Sequence, residues 1–154
     1  MGSLYHHFPG AKAELAAETL RHSGRAYQAL VEAVLDSEPD VVAAVRVGFA
    51  AAADTLRDSG YADACPIATV ALEVASSDEE LRLVTGEVFS AWLAALARRF
   101  TDAGIAEGPA AELAIVFLAA LEGGFLLSRV ARDATAMHVL GDAVAQQVER
   151  ALRP

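Results

Sequence analysis

The sequence predicts an all-α domain, and three observations carry that prediction. Ala, Leu, Glu and Arg dominate the chain, and these are the residues that lose least on entering a helix. No stretch alternates apolar and polar residues as a half-buried strand must. Turn-forming residues gather at a few places only: Pro9-Gly10, Ser37-Glu38-Pro39, Ser59-Gly60, Ser76-Ser77, Gly104 to Pro109, and Asp133 to Thr135.

The segments between these marks are helices in order. A short one covers Ser3 to Phe8, and a long one runs from Gly10 to Leu35, with Leu15, Leu20, Tyr27, Leu30 and Val34 near one stripe. A third spans Asp40 to Arg57 and is closed by Ser59-Gly60. A fourth, Ala64 to Ala75, carries Pro66 in its first turn, where a missing N–H costs nothing. The fifth runs from Asp78 to Ala103, with Ser77 or Asp78 as cap and Glu79-Glu80 suiting the positive end of the helix. Pro109 to Arg132 and Thr135 to Leu152 complete the set.

Composition narrows the function. Of 154 residues 55% are hydrophobic, chiefly Ala, Leu and Val, which suits close-packed helices. The longest unbroken apolar run, Leu113 to Leu121, is far shorter than the ~20 residues that cross a bilayer. No basic-then-apolar leader opens the chain, and one cysteine, Cys65, excludes an internal disulfide, so a soluble cytoplasmic protein is expected. The net charge of −9 is the wrong sign for a chain that grips nucleic acid over a wide surface. Any DNA contact is confined to the N-terminal tip.

That tip reads Gly2-Ser3-Leu4-Tyr5-His6-His7-Phe8, followed by Lys12 and Leu15. It resembles the recognition helix of TetR/AcrR-type transcriptional regulators, whose pattern is roughly Gly-x-Leu-Tyr-x-His-Phe-x-x-Lys-x-x-Leu. One extra residue in the turn Pro9-Gly10-Ala11 resembles the LmrA/YxaF-like branch, as does Cys65-Pro66 followed by Ile67 to Glu73. The resemblance implies that Gly2, Ser3, Tyr5 and His6 face DNA, that His7 and Lys12 reach phosphate, and that Leu4 and Phe8 are buried. It divides the chain into residues 1–9, the remnant of a helix-turn-helix, and 10–154, an effector-binding and dimerisation domain. The two helices that precede the recognition helix in the family have no counterpart before Gly2 here, so this polypeptide alone is expected not to hold an operator.

The last helix carries Met137, Leu140, Val144, Val148 and Leu152 at spacings of three or four, and the helix before it is apolar almost all round. Two such helices meeting their copies would make a four-helix bundle about a two-fold axis, with Leu113, Gly123, Gly124, Leu127, Met137, Leu140, Val144 and Val148 at the interface. The resemblance implies the same homodimer. In the middle helices, large residues among many alanines suit an apolar cavity. Phe49, Phe89, Trp92, Phe117 and Leu121 are its expected walls, and Thr69, Glu73 and Glu122 its expected polar groups. A carboxylate in such a pocket favours a small apolar cation.

Catalytic readings find little support. His6 and His7 are adjacent and diverge on a helix, Glu18 and His22 read as a surface pair, and Cys65 has no histidine nearby in sequence. No glycine-rich phosphate loop is present, and no cofactor or metal is called for. The expectation is a TetR-like, ligand-responsive regulator, a repressor, rather than an enzyme or a carrier. A stand-alone binding or dimerisation module without a DNA role stays open beside it, favoured by the charge.

Overall fold

The computed structural model describes residues 11–153. Among them six helices follow one another, with no strand: α1 (Ala11–Asp36), α2 (Val41–Asp58), α3 (Pro66–Val74), α4 (Glu79–Asp102), α5 (Glu107–Ala131) and α6 (Thr135–Ala151). The expected helix Ser3 to Phe8 lies outside the described residues, with Gly2, Ser3, Tyr5, His6 and His7. Lys12 stands in the first turn of α1, its side chain outside the description.

Each start has a local cause. The Asp40 carboxylate accepts from the Ala43 N–H at 2.7 Å, and that of Asp78 from the Leu81 N–H at 3.0 Å, satisfying donors that the first turn leaves free. At α3 the cap is Cys65, whose Sγ accepts from the Ala68 N–H at 3.4 Å, and Pro66 opens the helix. The α5 helix begins at Glu107, two residues before the expected Pro109, because proline fits a first turn that has no N–H partners to lose. It ends at Arg132 in the left-handed conformation (φ 50°).

The helices pack as α1 on α4 and α2, α2 on α6, and α5 on both α4 and α6, with α3 laid against α4. This produces two cores. The larger joins α2, α5 and α6, and contains Phe49, Phe117, Leu121, Met137, Val144 and Val148. Phe49 meets Phe117 edge-on with ring centroids 5.2 Å apart. The smaller joins α1, α3 and α4 through Ala17, Leu20, Cys65, Ile67, Val84, Val88 and Trp92.

Two expectations are corrected here. The buried stripe of α1 runs through Ala17, Leu20, Gly24 and Leu35, while Leu15 and Leu30 are exposed. The small residues set the face, because they let α4 come close; the large ones alone pointed to a stripe rotated away from it. The apolar stripe of α6 likewise turns inward. Met137, Val144 and Val148 are fully buried, with Leu113 and Gly124 buried beside them and Leu140 half-buried.

A second stripe of α5, Ile115, Ala119, Gly123, Leu126 and Val130, is left largely uncovered, with Leu127 at its edge and Val139 exposed on α6. The paired glycines divide between the two sides. A Cβ on Gly124 would stand 2.7 Å from Met137 Sδ, whereas one on Gly123 would meet nothing. By length and composition α5 is apolar enough to cross a membrane, yet its Phe117, Leu121 and Phe125 are buried in the larger core.

The α2–α6 contact depends on Gly141, where a Cβ would lie 2.7 Å from Phe49 Cβ. Gly141→Ala is expected to destabilise the protein by about 1–3 kcal/mol, as overpacking does. Gly86→Ala, on an exposed stretch of α4 with open space around it, is expected to stabilise by about 0.5–1 kcal/mol. Thermal melts of the two variants, moving in opposite directions, check both.

Candidate functional site

Between the two cores lies a cavity of about 550 Å³, a volume that suits a drug-sized molecule. Its walls come from four elements: Tyr27, Val31 and Leu35 on α1, Val41 at the start of α2, Trp92 and Leu96 on α4, and Phe117, Leu118 and Leu121 on α5. The position follows from the packing. Helices α1 and α4 touch at Gly24, where a Cβ would stand 2.6 Å from Val88 Cγ1, and the space between them beyond that contact is the cavity.

The interior is apolar and aromatic. Tyr27 tilts over Trp92 with centroids 5.3 Å apart, and Phe89 meets Trp92 edge-on at 5.5 Å. The rim is charged, with Glu32, Asp36, Glu38 and Asp102 against Arg98 and Arg99. Arg99 is committed. Its guanidinium pairs with the Asp36 carboxylate and donates to the Leu35 carbonyl and, at 3.3 Å, to that of Glu38.

Of the expected walls, Trp92, Phe117 and Leu121 line this cavity together. Phe49 is packed on Phe117 in the larger core, and Phe89 packs edge-on against Trp92 without lining the cavity. Thr69 and Glu73 are exposed on α3, where the Thr69 hydroxyl turns back to the Cys65 carbonyl at 3.0 Å. The α1 wall and the rim arginines went unread in the sequence. The one signal for them was Gly24 in mid-helix, a residue that costs helix stability unless something packs against it.

Glu122 reaches the smaller core next to Tyr27 and Cys65. Its Oε1 is buried with no hydrogen-bond partner, and burial raises its pKa above the ordinary carboxylate value, the Cys65 thiol offsetting this in part. The same surroundings act on its neighbours. Burial, reinforced by Glu122, pushes the Cys65 thiol up to about 12. Burial also raises the Tyr27 phenol, with Cys65 and Glu122 adding to the effect. Burial therefore shifts all three groups toward their neutral, protonated forms. Among the described residues no three His, Cys, Asp or Glu side chains gather as a metal site requires.

The profile of a family described as "Transcriptional regulator LmrA/YxaF-like, C-terminal domain" matches residues 41–143, which hold α2 to α5 and half of α6. The chain belongs to this family of TetR-type transcriptional regulators. It is 32% identical over 143 residues to the HTH-type transcriptional regulator YxaF of Bacillus subtilis, covering 93% of this chain and 75% of that protein. An HTH-type transcriptional regulator of Mycobacterium tuberculosis is 30% identical over 147 residues, covering 90% of this chain and 72% of the other. LmrA of Bacillus subtilis, also an HTH-type transcriptional regulator, is 24% identical over 149 residues, covering 97% and 79%. The α2, α4 and α5 walls of the cavity thus fall within the region matched by the LmrA/YxaF-like C-terminal domain, and the α1 wall precedes it in the chain.

The buried carboxyl makes stability depend on pH. The fold prefers protonated Glu122, so its stabilising share is complete below the ordinary carboxyl pKa of ~4.3 and is lost as pH rises through the raised value. Glu122→Gln removes the titration. Denaturant melts are expected to agree between wild type and variant near pH 4, and to favour the variant increasingly at higher pH.

Proposed function

We propose that the cavity binds a small apolar effector and that its occupancy controls how α1 presents the N-terminal reading head to DNA. The supporting observation is that α1 supplies one wall of the cavity, from Tyr27 to Asp36, and carries Lys12 and Leu15 of the recognition pattern in its first turns. Its 26 residues make a rod of roughly 39 Å at ~1.5 Å per residue. Two reading heads must fit major grooves about 34–36 Å apart, so a few degrees of tilt alter their spacing by ångströms. An effector shifts that equilibrium only by binding the released arrangement more tightly. The protein then acts as a repressor in the cytoplasm, residues 10–154 serving as one sensing and dimerising unit, with no catalytic role.

The uncovered stripe Ile115, Ala119, Gly123, Leu126 and Val130 is the dimer face in this reading. It is continuous along α5 and free of charge, and Gly123 and Ala119 let a second copy approach closely, as helix pairs about a two-fold axis require.

Two measurements test these assignments. The naphthalene dye 1-anilinonaphthalene-8-sulfonate is expected to brighten on binding the wild type and to quench Trp92, the sole tryptophan. Ala95→Phe, which fills the cavity from α4, is expected to weaken that binding by about tenfold or more, equal to ~1.4 kcal/mol. Unchanged dye affinity in a folded Ala95→Phe variant removes the cavity from the proposal. Sedimentation of Leu126→Glu combined with Val130→Glu is expected to show monomer where the wild type is dimeric. Dimers that persist place the interface elsewhere. Failure of a fusion that supplies the two family helices ahead of Gly2 to select any DNA sequence from a random pool supports the stand-alone binding module instead.

A further inference from the structure

We propose that Trp92 is the residue through which the cavity acts on α1, by way of its hydrogen bond to the backbone of Gly24. This rests on reading the cavity as the effector site. Trp92 has two roles at once. Its ring is part of the cavity wall, stacked at a tilt on Tyr27. Its indole Nε1 donates at 3.0 Å to the Gly24 carbonyl, in the middle of α1. That carbonyl already lies within the helix ladder, so the indole uses its second lone pair. Only a glycine lets α4 come this close, since any Cβ there would collide with Val88.

A second tie lies seven residues along α4, on the same face two turns away. There Arg99 holds the Leu35 and Glu38 carbonyls and the Asp36 carboxylate. The last turn of α1 has no basic residue of its own, so Arg99 supplies the positive charge that a helix C-terminus favours. The α1 wall of the cavity, Tyr27 to Asp36, falls between these two ties. On the far side of Gly24, α1 rests on the smaller core through Ala17 and Leu20.

The two ties differ in what an effector does to them. Arg99 sits at the rim with both terminal guanidinium nitrogens bonded to the last turn of α1 and the Glu38 carbonyl just past it, and it anchors the C-terminal end. Trp92 stands in the wall, so a molecule lying against its ring must either hold the indole at Gly24 or turn it away. Turning it away costs a buried hydrogen bond and frees the contact under Gly24, and the N-terminal half of α1 then tilts about its fixed C-terminal end. A bond that is either made or broken gives two discrete arrangements, as a switch needs.

Segment-resolved hydrogen exchange on the full chain tests this. Trp92→Phe keeps an aromatic wall but deletes the donor. It is expected to speed exchange in residues 11–27 by up to about tenfold, the worth of one buried hydrogen bond, while residues 33–38 keep wild-type protection. Arg99→Met is expected to give the reverse pattern. Val88→Ala loosens the contact under Gly24 without touching the cavity lining, and is expected to follow Trp92→Phe if that variant folds poorly. At saturating 1-anilinonaphthalene-8-sulfonate, the wild type is expected to change its exchange in residues 11–27, and Trp92→Phe to show no further change. Even exchange along the whole of α1 in both variants, or an equal dye effect with and without the indole, overturns the assignment. Absence of dye binding to the wild type would count against the effector reading alone, and the segment patterns of the variants would still decide whether Trp92 holds α1.

Discussion

The constraint on which this molecule depends is that α1 and α4 must each serve two cores. At one end they pack with α3 around Ala17, Leu20, Ile67 and Val88, and at the other they meet α2 and α5 around Leu35 and Leu96. Straight helices cannot stay in contact with both clusters and with each other along their full length. They touch at Gly24, where there is no side chain to hold them apart, and the volume left over is the cavity. A better-filled seam would cost the protein the space in which a small molecule can sit. The burial of Tyr27 and Trp92 in its wall is the stabilising side of the same arrangement, since large aromatic faces remove much apolar surface from water.

The helices were legible in the sequence because their signals are local. Caps such as Asp40 and Asp78, Pro66 in a first turn, and the Ser59-Gly60 stop act within a few residues of where they stand. Which face each helix buries was less legible, because it depends on partners distant in the chain. On α1 the large residues Leu15 and Leu30 suggested one stripe and the small residues Ala17 and Gly24 determined another. On α6 the clean stripe from Met137 to Val148 was visible, but periodicity cannot say whether such a stripe meets its own chain or a second copy. Trp92, Phe117 and Leu121 came together as walls, whereas the opposite wall on α1 left only an unexplained glycine to announce it.

The α5 helix illustrates how a nearly all-apolar helix divides its surface. One side is covered by α2, α4 and α6. The other is a stripe of small and branched residues, and an apolar face of that length rarely stays uncovered in a soluble protein. Adjacent glycines divide the work: Gly124 admits Met137 from within, and Gly123 keeps the outer surface low. Within the apolar stretch from Leu113 to Leu127 the one acidic residue, Glu122, lies beside the smaller core, where its carboxyl neighbours a phenol and a thiol.

That thiol has a chemical consequence. Only thiolates attack disulfides, peroxides and electrophiles at useful rates, and burial, reinforced by Glu122, holds Cys65 in its thiol form. Its sulfur is also engaged as the cap of α3 and shielded from solvent. A thiol so placed is a poor nucleophile, and cysteines introduced on the exposed helix faces are expected to react with labelling reagents ahead of it.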